Sequence, residues 1–211
     1  MNDISDDLFE NEPPAVARLL RAAYRLLFTE GYAAFTMEEL AHELGMSKKT
    51  LYVHFPSKDA IIEKIIDVLG SHIRARMDAV VGNPRLRFTE KVSGVGAAAS
   101  ATLAKASPAM LRELQRYAPA VYQKIEDIRT RTIPIIFGRL IRDGIAEGMV
   151  RGDVDPEFAA EFWLQAIRGM VQPAVLERTQ LTVPQTLHRA LQIFFAGLLT
   201  PAGRKHYEKH A

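Results

Sequence analysis

Few residues in this 211-residue chain could do chemistry, and their spacing excludes more than it admits. There is no cysteine, which removes disulfides, thiolate nucleophiles and Cys-based zinc sites. His206 and His210 stand at i and i+4, a spacing that can grip a metal on a helix. The residues between them, Tyr207-Glu208-Lys209, do not make H-E-x-x-H, so a basic tail is the simpler reading. His42, His54, His72 and His188 are scattered. Gly94-Val95-Gly96-Ala97-Ala98-Ala99 matches a dinucleotide fingerprint as a string, but Arg87–Val92 before it lacks the buried strand that motif needs. A helix segment of small residues allowing close packing explains it better. No Gly-x-Ser-x-Gly elbow or phosphate-binding loop occurs. No enzyme, cofactor or metal site is expected.

What remains is binding chemistry. Lys48, Lys49, Thr50, Tyr52, Val53 and His54 fall within seven residues, with Lys58 just beyond. On a helix that turns Leu51 and Phe55 inward, Lys49 and Val53 point outward, flanked by Tyr52 on one side and Thr50 and His54 on the other. Lysine reaches guanine acceptors, valine can meet a thymine methyl, and Thr or Tyr hydroxyls bond bases or phosphates. Val53 could instead pack against the first helix. Overall net charge is only +2, so any phosphate-binding surface must be a local cluster such as Lys48, Lys49 and Lys58.

Those side chains need positioning elements, and the sequence supplies them. Pro13 and Pro14 open a helix whose Val16, Leu19, Leu20, Ala23, Tyr24 and Leu27 recur every 3.6 residues, until Gly31 stops it. Thr36 with Glu39 forms a capping box for a second helix, with Met37, Leu40, Ala41 and Leu44 on one face and Gly45 as its end. Ser47 caps the next, which Pro56 stops. Ser57 caps a fourth, with Ile61, Ile62, Ile65, Ile66, Leu69 and Ile73 as its apolar stripe. Two short helices joined by a tight Gly-containing turn make a helix-turn-helix.

Further along, Ser107-Pro108, Ala118-Pro119, Asp155-Pro156 and Val183-Pro184 read as helix entries, and Pro134 predicts a kink inside a helix from Pro119 to about Glu147. No stretch alternates with period two between hairpin turns. The expected fold is all-α. Residues 1–12, with five acidic and no basic residues, read as a disordered leader. Residues 13–58 form the helix-turn-helix domain, helix four spans 57–81, and after a break at Gly82-Asn83-Pro84 residues 82–211 form a second helical domain. Neither a secretory signal nor an apolar run long enough to span a membrane is visible, so a cytoplasmic location is expected.

The run Phe35–Ala60, with Thr36, Gly45, Ser47, Thr50, Leu51, Tyr52, Phe55, Pro56 and Lys58 in this order, closely resembles the DNA-binding signature of the TetR family, and the resemblance covers roughly residues 15–70. It implies that Thr50, Tyr52 and His54 contact operator DNA, with Thr36 and Lys58 at its backbone. The candidate DNA-binding set is Thr36, Ser47, Lys48, Lys49, Thr50, Tyr52, Val53, His54 and Lys58. Lys49 departs from the small residue common in the family, which bears on base preference.

The resemblance further implies a homodimer that represses transcription from a palindromic operator, and a C-terminal domain that takes a small-molecule effector. Two apolar stripes, Ala159, Phe162, Trp163, Ala166, Ile167, Met170 and Leu187, Leu191, Phe194, Phe195, Leu198, Leu199, would then form the dimer's four-helix bundle. Phe162, Ile167, Leu187, Leu191, Phe194, Phe195 and Leu198 are the expected interface residues. Met110, Tyr117, Tyr122, Phe137, Trp163 and Met170 are candidates for a pocket holding a hydrophobic effector. The rival reading is a helical homodimer that binds small molecules or proteins without recognising specific DNA.

Overall fold

The computed structural model describes residues 8–207. Among them are eleven α-helices and no strand; the only extended pairing is an isolated antiparallel bridge between Val150 and Leu199. The helices are α1 (Pro14–Glu30), α2 (Met37–Leu44), α3 (Lys48–His54), α4 (Lys58–Val81), α5 (Phe88–Thr102), α6 (Pro108–Tyr117), α7 (Pro119–Ala146), α8 (Pro156–Met170), α9 (Pro173–Thr179), α10 (Val183–Leu198) and α11 (Pro201–Tyr207). Prolines open α1, α6, α7 and α8, where a missing N–H costs nothing because the first-turn donors have no intrahelical acceptor. Pro134 lies inside α7, which continues through it.

Packing divides the chain elsewhere than at the Gly82–Pro84 break. Residues 1–72 join 105–126 in one compact unit, and 73–104 join 127–211 in the other, so the division falls within α4 and α7. In the first unit α1 buries Leu19, Leu20, Ala23, Tyr24 and Leu27. α4 buries Ile61, Ile62, Ile65, Ile66 and Leu69, while Ile73 is half-buried. Lys124 of α7 braces α4 through Asp67 at 2.7 Å and Glu63 at 3.5 Å.

The expected disordered leader needs correction at residues 8–12. Leu8 and Phe9 are buried, and Phe9 meets Tyr24 edge-on at 6.2 Å. Acidic neighbours masked two apolar side chains that suffice to dock a short segment. The rest of the leader, residues 1–7, and His210 of the histidine pair lie outside the described residues.

The second unit is built around aromatic rings. Phe137 stacks on Trp163 at 4.9 Å, and Phe194 meets Trp163 at 5.0 Å and Phe195 at 5.2 Å. The Gly94–Ala99 string lies in the middle of α5. A Cβ on Gly94 would fall 2.8 Å from Val80 and one on Gly96 3.2 Å from Leu191. These glycines serve close helix packing.

Candidate nucleic-acid interface

Both helices of the helix-turn-helix are fixed at their ends by short-range hydrogen bonds. Thr36 Oγ1 accepts the Glu39 N–H at 3.1 Å, and Glu39 Oε2 accepts the Thr36 N–H at 2.9 Å, a reciprocal capping box that satisfies two orphan donors. At the other end of α2, Gly45 takes φ +65°, ψ 33°, and the Met46 N–H closes back on the Ala41 carbonyl at 3.0 Å. A Cβ at Gly45 would meet nothing within 4 Å, so backbone conformation, not space, calls for glycine here. Arg18 of α1 donates to the Leu44 carbonyl at 3.0 Å, satisfying another terminal acceptor of α2.

α3 then starts at Ser47, whose Oγ accepts the Thr50 N–H at 3.1 Å and lies 2.9 Å from the Thr50 hydroxyl. Its seven residues bury a single side chain, Leu51. Phe55, expected to share that inward face, is only half-buried. Its backbone is extended, because the helix ends ahead of Pro56. The residues expected to point outward are exposed. Lys49 and His54 are exposed, Tyr52 is 50% exposed, and Val53 is 78% exposed and free of α1.

The lysines differ in their surroundings. Lys48 Nζ donates to Glu38 Oε2 of α2 at 2.7 Å, and this pairing lowers the Glu38 pKa. Both groups are solvent-exposed, so the pair contributes little and a phosphate can displace it. Lys58 is more embedded. Its Nζ donates to the Tyr32 carbonyl at 2.9 Å and sits 3.8 Å above the Tyr32 ring centroid. Burial holds its pKa below the ordinary lysine value, opposed by the charges of Asp59, Glu113 and Glu39. The Tyr32 hydroxyl donates to Asp59 Oδ1 at 2.8 Å. Burial, then that hydrogen bond and the Asp59 charge, push the tyrosine up to about 12. Asp59 follows Lys58 in the chain, but nothing local in the sequence marked Tyr32 and Glu113 as its neighbours.

The family described as bacterial regulatory proteins, tetR family, matches residues 19–65, from α1 into α4. Residues 19–65 carry a TetR-type DNA-binding domain. The chain is 23% identical over 181 residues to the uncharacterized HTH-type transcriptional regulator YvaF of Bacillus subtilis, a match covering 86% of this chain and 94% of that one. Its fold is that of a transcriptional regulator from Cytophaga hutchinsonii (TM-score 0.70, 19% identity, 89% of this chain and 100% of that one). It is equally that of a TetR-family regulator from Marinobacter aquaeolei VT8 (TM-score 0.71, 18% identity, 93% and 97%). The protein is a DNA-binding transcriptional regulator.

The residues expected at the dimer interface are placed differently. Ile167, Leu187, Leu191, Phe194 and Phe195 are buried in the chain's own core and Leu198 is half-buried; of the seven, Phe162 alone is exposed. Periodicity selected the stripe of each helix that faces inward. A second apolar stripe lies outside it: Phe158 (72% exposed), Phe162 and Met170 on α8, and Ile193 (77% exposed) on α10. Phe158 and Ile193 were not among the expected interface residues. Their signal was an apolar residue four positions from Phe162, or three beyond Ala190, lying off the main stripe. Phe162, Ala166, Met170, Leu181, Ala190 and Ile193 line an apolar groove of about 320 Å³.

The six effector candidates are not gathered by either unit. Met110, Tyr117 and Tyr122 belong to the first, and Phe137, Trp163 and Met170 to the second. Met110, Phe137 and Trp163 are buried packing residues, Tyr117 is exposed, and Trp163 and Met170 line the apolar groove with Phe162. Among the described residues no three His, Asp or Glu side chains are grouped to hold a metal, and no helix is long and apolar enough to cross a membrane.

Proposed function

We propose that this regulator is a repressor that binds a palindromic operator as a homodimer through α3, and that a small, hydrophobic effector bound by residues 82–211 releases it. The observation that carries the DNA reading is the outer face of α3. Tyr52 and Val53 stand in solvent on a helix whose one buried side chain is Leu51, beside the exposed Lys49. A helix kept for packing would turn such side chains inward, whereas a major groove offers thymine methyls and base acceptors to them.

Two copies are needed because one short recognition helix makes too few contacts for tight, specific binding. The outer stripe of α8 and α10 supports a second copy as the partner. It is large and apolar, and Gly169 and Gly197, where a Cβ would meet nothing, let another helix approach closely. The effector acts by favouring a conformer whose two reading helices no longer match successive major grooves about 34 Å apart. DNA then weakens effector binding by the same factor. A regulator acting on operator DNA in this way works in the cytoplasm.

Tyr52→Ala tests the reading face. Affinity for operator duplex is expected to fall by about 1–3 kcal/mol, with helix content and unfolding midpoint unchanged because the ring is half in solvent. Wild-type affinity in fluorescence anisotropy would remove Tyr52 from the face that reads DNA.

A further inference from the structure

Glu113 lies on α6, 80 residues along the chain from the backbone it touches. Its Oε2 accepts the Ala33 N–H at 3.0 Å, in the loop that joins α1 to the Thr36 cap of α2. The same oxygen would stand 2.9 Å from a Cβ at Gly31, whose φ is +89°. Glycine is what lets the carboxylate come so close. Lys58 grips the neighbouring Tyr32 carbonyl, so residues 31–33 are held by a cation on α4 and an anion on α6. Glu113 also attracts the Lys58 ammonium. Glu113 itself is half-buried, and all of these groups lie in one compact unit.

We propose that Glu113 is a positioning residue for DNA binding, tethering the 31–33 loop beneath the α2 cap while its negative charge weakens phosphate binding at the Lys58 corner. This rests on the DNA-binding reading above. The two effects have opposite signs and separate chemically. Glutamine keeps an oxygen that can accept the Ala33 N–H but carries no charge, whereas alanine removes both. The buried side chains of α6, Met110, Leu111 and Leu114, are untouched by either change.

The experiment uses the full chain, wild type against Glu113→Gln and Glu113→Ala, with a mixed-sequence DNA duplex as probe over a salt series. Amide exchange of residues 31–36 is followed without DNA. Glu113→Gln is expected to bind about threefold more tightly than wild type at low salt, an advantage that disappears as salt screens the charge. Glu113→Ala is expected to bind about fivefold more weakly than Glu113→Gln at every salt concentration, and to exchange its 31–36 amides faster. A salt-dependent gap between wild type and Gln, and a salt-independent one between Gln and Ala, is not what a general loss of stability produces. Equal affinities for all three proteins, or unchanged exchange in Glu113→Ala, would overturn the assignment. Failure of the wild type itself to bind duplex would overturn the DNA-binding reading, while the exchange arm would still decide whether Glu113 holds the loop.

Discussion

Ile193→Asp is expected to turn the dimer into a monomer at micromolar concentration. Ile193 is 77% exposed in the single chain, so a carboxylate there stays hydrated and the chain's own fold is undisturbed. In a pair joined across the outer faces of α8 and α10 the same carboxylate would be buried without a partner, at a cost of about 2–5 kcal/mol. A two-fold interface carries every substitution twice, so the weakening of the dimer is at least about 30-fold for each copy. Sedimentation equilibrium reads the shift directly, and operator affinity should fall with it. The substitution Leu187→Asp makes an informative contrast, because Leu187 is core and its loss should unfold the second unit instead. A dimer of unchanged strength in Ile193→Asp would move the interface off this face.

Leu51→Ala is expected to remove the reading helix. Leu51 is fully buried and is the one buried side chain of a seven-residue helix, which is far too short to persist without tertiary anchorage. Truncating it costs about 2–5 kcal/mol through lost transfer energy and the cavity left behind. Urea unfolding should show the lower midpoint, amide exchange should show it concentrated in residues 47–55, and DNA binding should go with it. Val53→Ala, on the opposite and solvent-facing side, should leave the midpoint unchanged. An unchanged midpoint in Leu51→Ala would mean that other contacts hold α3.

Local features were legible in the sequence because local physics writes them. The capping box Thr36–Glu39, the Ser47 cap, the positive-φ Gly45 and the early prolines of α6, α7 and α8 each depend on residues within five positions of one another, and each is present in the fold. So was the outward set on α3, once Leu51 fixed which way the helix faces.

Two kinds of feature were not legible. Where a helix carries two apolar stripes, periodicity cannot say which one faces its own core. On α8 and α10 the stronger stripe, through Ile167, Leu187, Leu191, Phe194 and Phe195, is internal, and the weaker one, through Phe158 and Ile193, is outside. Long-range contacts leave no local trace either. Phe9 against Tyr24 was hidden by acidic neighbours, and Glu113 against Ala33 spans 80 residues. Residues 105–126 accordingly belong to the first compact unit, although the chain break at Gly82–Pro84 put them in the other domain.

Selection of genomic fragments by the purified protein at fixed salt, followed by footprinting of the recovered DNA, tests the central claim most directly. Recovery of a palindrome whose half-sites lie about one helical turn, or a multiple of it, apart is the predicted result. Its protected bases should become accessible when Tyr52 is replaced by alanine. No fragment enriched over bulk DNA would contradict specific recognition through α3.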